Sequence, residues 1–140
     1  MICKLNKLFL LFVGILFFNS CREEIIPPDN FVESINSPVQ VREFNSYIFL
    51  LNADKLTMNL TVPSIFTSLR TRFNITLVDY ESGYTVISAE DYNSIERFRY
   101  FVAEDVSYDS ELLDGFVPLN INIRTSNFSG KIKIEFRKTL

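Results

Sequence analysis

The stretch EDVSYDSELLD, residues 104–114, gathers oxygen donors at alternating positions: Asp105, Ser107, Asp109 and Glu111. In a loop, such spacing can turn several oxygens onto one hard cation, and calcium is the natural guest. The alternative is a solvated acidic loop that holds no ion. The second reading is preferred, so no metal is expected and Asp105, Asp109 and Glu111 stand only as weak candidate ligands. Two further carboxylate pairs, Glu90 with Asp91 and Glu104 with Asp105, have the residue types for glycosidic acid–base work. Sequence neighbours on a strand point to opposite faces, which separates each pair. The chain has no His, so the commonest general base is absent. It has neither a G-x-S-x-G elbow nor a glycine loop that would cradle phosphate. No catalytic residue and no cofactor are assigned, and an enzyme is not expected.

The acidic segment resembles the first half of an EF-hand loop and then departs from it. Ser110 stands where that loop needs Gly, and Phe116 where it needs its bidentate Glu. Asn59, Asn74 and Asn127 each head an N-x-S/T triplet, but they fit better as outward polar positions of strands and turns. Acids dominate residues 79–114, ten against Arg97 and Arg99, while five bases face Glu135 from Arg124 onward. A net charge of −3 gives no electrostatic case for nucleic-acid binding.

The run LFVGILFFNSC raises a different chemistry. Lys4 and Lys7 precede an eleven-residue apolar core, Leu8 to Phe18, broken only by Gly14. That is far short of the ~20 residues a spanning helix needs, and it suits a secretory leader. Asn19, Ser20 and Cys21 follow. Charge, core length and cysteine position together resemble the leader of a bacterial lipoprotein, of the relaxed kind seen in Bacteroidota. The resemblance implies that residues 1–20 are removed and that the Cys21 thiolate accepts the lipid, since the thiolate is the nucleophilic form. Ser20 fits that pattern, while Phe18 and Asn19 depart from it. The alternative is an ordinary secretory leader or an uncleaved anchor whose cysteine is incidental. Cys3 would leave with the leader, so the mature chain would hold no free thiol and no disulfide. Arg22, Glu23 and Glu24 resemble the export signal that sends such lipoproteins to the outer face of the outer membrane; a periplasm-facing anchor is the alternative.

Residues 21–38 carry Pro27, Pro28 and Pro38 with no sustained period, and read as a semi-extended tether. From residue 39 to 140 the dominant period is two. LTMNLTV, RFNITL, LNINIR and KIKIEFRK each set apolar residues on one face and polar ones on the other. Leu60, Ile75, Ile121 and Ile134 are therefore expected in the core. SYIFLLN and FRYFVAE are denser apolar runs that suit central strands. ESG at 81–83 and NFSG at 127–130 read as hairpin turns, and SAEDYNSIER at 88–97 as one helical turn capped by Ser88. The count is seven or eight strands and no sustained helix. That predicts an all-β domain, a two-sheet antiparallel sandwich of immunoglobulin-like type, with a small β-barrel as the alternative. The expected role is non-catalytic: a membrane-anchored module binding an unidentified protein or glycan, or an accessory subunit pairing a partner through an edge strand.

Overall fold

The computed structural model describes residues 31–139, and among these every regular element is a strand. The leader, Cys21 and the Arg22-Glu23-Glu24 signal lie outside the described residues. Six strands form in chain order: β1 (Val39–Glu43), β2 (Ser46–Pro63), β3 (Arg70–Glu90), β4 (Glu96–Val102), β5 (Val106–Asp114) and β6 (Asn120–Lys138). They make one antiparallel sheet in the order β1-β2-β6-β3-β4, with β5 also pairing β3. The sheet does not close into a barrel, and the strands number fewer than the periodicity predicts.

The difference comes from residues that look like turns. Asp79 and Gly83 in β3 and Asn127 and Gly130 in β6 all take positive φ, as hairpin residues would. The strands nevertheless continue through them, because each site is a bulge. Register shifts fall between Val78 and Ser82 and between Ser82 and Tyr84 in β3, and between Ala53, Leu56 and Met58 in β2. A bulge adds an unpaired residue, bends its strand and increases local twist. Here three neighbouring strands bulge along one line, where Ala53 pairs Gly130 and Ser82 pairs Ser129. Lys55, at φ 49° in the β2 bulge, donates its N–H to Ser129 Oγ at 2.9 Å.

The line of bulges folds the sheet over. Phe73 and Ala89 lie on one strand, about 50 Å apart if it were straight at ~3.3 Å per residue. Phe98 is the partner of Ala89, yet its ring centroid is 4.8 Å from that of Phe73. Phe136 joins the same group, at 5.2 Å from Phe73. Core rows cross the strands on each side of the bend. Phe49, Ile134 and Ile75 form one row, and Val62, Ile121, Ala89 and Phe98 another. Ile75, Ile121 and Ile134 are fully buried as the alternation predicts. Leu60 is only half-buried, as are Leu56 and Met58, because this half of β2 is an open edge. The run FRYFVAE is not a central strand. β4 is an edge that turns Phe98 and Val102 inward and leaves Phe101 out.

The two halves differ in width. Five segments lie side by side before the bend: β1, the first part of β2, the last part of β6, the first part of β3, and β5. Only four lie beyond it: the rest of β2, β6 and β3, with β4. The missing position falls beside Leu56–Pro63.

The helical turn expected around residues 88–97 does not form. Residues 88–90 finish β3, and Asp91 organises a tight connection to β4 instead. Its carboxylate accepts the N–H groups of Asn93 and Ile95 at 2.8 and 3.1 Å and the Arg97 Nε–H at 2.7 Å. Acceptance of backbone N–H groups by an Asp side chain competes directly with helix, and here it wins. At the other pole the fold reaches back before residue 39. Asn36 donates its N–H to Asn52 O at 2.7 Å, and its side chain brackets Asp54 by two further bonds. The distal part of the expected tether is therefore fastened to the sheet at the bend.

Candidate binding face

Beyond the bend, each strand turns one set of side chains to the core and the other to solvent, and the strand order brings distant residues into one row. Asn59 pairs Arg124, Arg124 pairs Val86, and Val86 pairs Phe101. Tyr84 lies next to that row, opposite Ser126. These residues form the outer face. Tyr84 is 42% exposed and Phe101 61%, and their rings lie 5.5 Å apart with a tilt of 31°. Two large aromatic rings left on a solvated sheet face are a departure from ordinary strand alternation, and they offer an exposed apolar patch.

Beside this pair is a shallow depression of about 380 Å³ lined by Thr57, Met58, Asn59, Tyr84, Arg124, Thr125 and Ser126. Among its polar side chains Thr57 accepts the Asn127 N–H and Thr125 donates to Leu56 O, while Arg124 and Asn59 stay uncommitted among the described residues. Six of the seven described arginines have a side-chain partner. Arg97, Arg99 and Arg137 are ion-paired at 2.7 Å to Asp91, Glu96 and Glu135. Arg70 meets Asp114 at 4.0 Å, Arg72 donates to Ser110, and Arg42 to Gln40. Arg124 alone makes no hydrogen bond or ion pair among the described residues, and neither does the Asn59 amide. Glu96 feels the charge of Arg124. Its carboxyl is held below the usual range chiefly by the hydrogen bond from Arg99, and Arg124 adds only the smallest pull. The Arg124 guanidinium therefore keeps its donors available in their planar fork.

The weak candidate cation ligands do not gather. Asp105 accepts the Tyr80 N–H at 2.9 Å and so ties the β4–β5 connection to the β3 bulge. Asp109 accepts the Tyr100 hydroxyl at 2.7 Å and the Ser110 N–H. That contact, after burial, helps push the Tyr100 hydroxyl up to about 12. Glu111 lies exposed on β5 opposite Phe73. Among the described residues no three carboxylates, cysteines or histidines converge as a metal site. Residues 106–114 form β5 rather than the expected acidic loop, so Asp109 and Glu111 are spread along a strand at the sheet edge, while Asp105 lies in the connection before it.

Sequence reasoning missed Tyr84, Phe101, Arg124 and Asn59 as a group. One signal was available: Asn59 and Arg124 fall on the polar side of LTMNLTV and LNINIR. Nothing local says that these two face each other, or that Phe101 lies in the same row. Comparison with protein-family models, with curated proteins and with solved structures finds no match to this chain.

Proposed function

We propose that this chain is a lipid-anchored protein of the bacterial cell envelope whose β domain binds a ligand without transforming it. The anchor rests on the leader and Cys21, and the outer-surface location on Arg22, Glu23 and Glu24. The observation that carries the binding role is the outer face built from Tyr84, Phe101 and the unpaired Arg124 around a shallow depression. Exposed aromatic rings and uncommitted donors favour recognition, and the open shape favours a ligand that lies on a surface. Attachment supports the same reading. The chain is fastened at the bend by Asn36, so a tether from Cys21 would hold the domain by that pole and leave its sheet face accessible. The domain is read as a sandwich-like support in which the folded sheet supplies rigidity.

A second reading has its own support. Of the open edges, β1 carries Arg42 and Glu43, β4 carries Glu96, Arg97 and Arg99, and β5 carries Asp109, Glu111 and Asp114. Charged edges resist strand addition. Residues 56–62, LTMNLTV, carry no charge and sit where the second half of the sheet lacks a strand. An accessory subunit could pair a partner there.

The test is capture from detergent-solubilised envelopes with the full chain. Binding through the face predicts that a Tyr84→Ser, Phe101→Ser variant loses what the unaltered chain captures, while Thr61→Lys on the β2 edge keeps it. The reverse pattern supports edge pairing, and identical capture by all three removes the binding-face reading.

A further inference from the structure

We infer that the outer face selects a saccharide bearing a carboxylate, such as a uronic-acid-containing glycan. This rests on the binding-face reading and names its ligand class. The inference starts from Arg124, which is exposed and unpaired where every other described arginine has a partner. A guanidinium presents donors in a fixed fork whose natural complement is a carboxylate, bound through two parallel N–H···O bonds. Directly across the strand, Asn59 adds an amide with both a donor and an acceptor, and neither is used within the described residues. Hydroxyl-rich ligands need this mixed capacity, which a second cation would not supply.

The aromatic pair supplies the other half. A pyranose ring has a face lined by C–H groups, an apolar disc that lies flat on an aromatic ring. Tyr84 lines the depression itself, and the Phe101 ring packs against it at 5.5 Å, which holds exposed aromatic surface beside the depression. Thr57 and Ser126 also line it, and their small side chains leave room above the sheet. The arrangement is one aromatic platform, one cation and one amide within neighbouring rows. A nucleic acid would ask for a run of cations tracking phosphates, and the chain offers one arginine on a net charge of −3. An acidic peptide would use the cation but leaves the exposed aromatic rings without a matching surface.

The experiment uses the full chain in detergent micelles, titrated with an unbranched oligogalacturonate and followed by calorimetry. The controls are its methyl ester, which removes the charge and keeps the rings, and a poly-aspartate peptide of similar length. Saturable binding of the oligogalacturonate is expected. The ester and Arg124→Gln should each weaken it about tenfold, the size of one charge-assisted interaction near 1.4 kcal/mol. Phe101→Ser should weaken acid and ester alike. Arg124→Lys should recover only part of the loss, because an ammonium cannot reproduce the fork. Arg124 and Phe101 are exposed, and a urea transition within error of the unaltered chain shows that each variant is folded. Equal binding of acid and ester overturns the carboxylate inference while leaving a glycan-binding face. Tighter binding of poly-aspartate assigns the face to proteins instead. No binding to any of the three overturns the inference, and the envelope capture described above then decides separately whether the face binds at all.

Discussion

Gly83 offers the sharpest test of the bent sheet. It sits in the β3 bulge at φ +77°, and a Cβ built there would lie 2.2 Å from the backbone oxygen of Asn127 in β6. Two penalties follow for Gly83→Ala. A left-handed conformation costs an L-residue about 1–2 kcal/mol. The lower entropy of the unfolded alanine chain returns about 0.4–1 kcal/mol. The collision is additional. Its partner is a backbone carbonyl within a bulge, so relief means shifting β6 at the line where Ser82 pairs Ser129. Comparable overpacking costs about 1–3 kcal/mol. Gly115 provides the control. Its φ is +85°, but a Cβ there meets nothing within 4 Å. Gly115→Ala should therefore lose about 1 kcal/mol and Gly83→Ala about 2–4 kcal/mol, combining the terms above. Equilibrium unfolding in urea measures both, with m unchanged if the native and unfolded states keep their exposure. Equal losses would refute the close approach of the two bulges. A Gly83→Ala loss below about 0.5 kcal/mol, the range of a neutral surface change, would refute the left-handed bulge as well.

Three other outcomes are expected. Ile134 is fully buried between Phe49 and Ile75 on the strand that joins both neighbours, so Ile134→Ala should lower urea stability by about 2–5 kcal/mol. The Asp91 carboxyl is held below its usual range, first by the hydrogen bond from Arg97 and also by the N–H groups of Ile95 and Asn93. A depressed carboxyl stabilises the fold above its unfolded pKa and loses that contribution as pH falls through the folded value. Urea midpoints should thus decline below about pH 4, the ordinary carboxylate value, and less so in Asp91→Asn; parallel acid limbs would exclude this role. Cys21→Ala should abolish both palmitate labelling and partition into a detergent phase, and persistence of either excludes lipidation at that cysteine.

The strand character of the domain was legible residue by residue. LNINIR and KIKIEFRK mark Ile121, Ile123, Ile132 and Ile134 as inward, and all four are fully buried. The bend was not legible. Asp79, Gly83, Asn127 and Gly130 have the residue types and positive φ of hairpin turns. A left-handed residue reverses a chain or merely bulges it according to what lies across the sheet, and that partner is dozens of residues away. The same limit hid the long β3, divided on paper at ESG. Asp91 shows a local conflict: its spacing from Ser88 suits a helix cap, but its oxygens bind the N–H groups of Asn93 and Ile95. For the binding face, the alternation marks Asn59 and Arg124 as outward but not as partners. Arg124 becomes notable only once the other arginines are seen to be engaged.

The order of the strands also dictates when the domain can exist. β2 and β3 are successive in the chain but never pair with each other; both pair along their length with β6, the last of the described strands in chain order. Until residue 120 and beyond are available, Phe49, Ile75 and Ile87 have no central strand to pack beside, and two long strands present unpaired edges. Closing such distant segments carries its entropic cost before any contact rewards it, which makes folding slow and late. A nascent chain emerging from its N-terminus can pair β1 with β2 and β3 with β4 and β5, but it cannot join these parts into one sheet until β6 is out. If the chain is exported as proposed above, that delay would keep the sheet open during passage through the translocation pore, and β6 would be the strand that closes it.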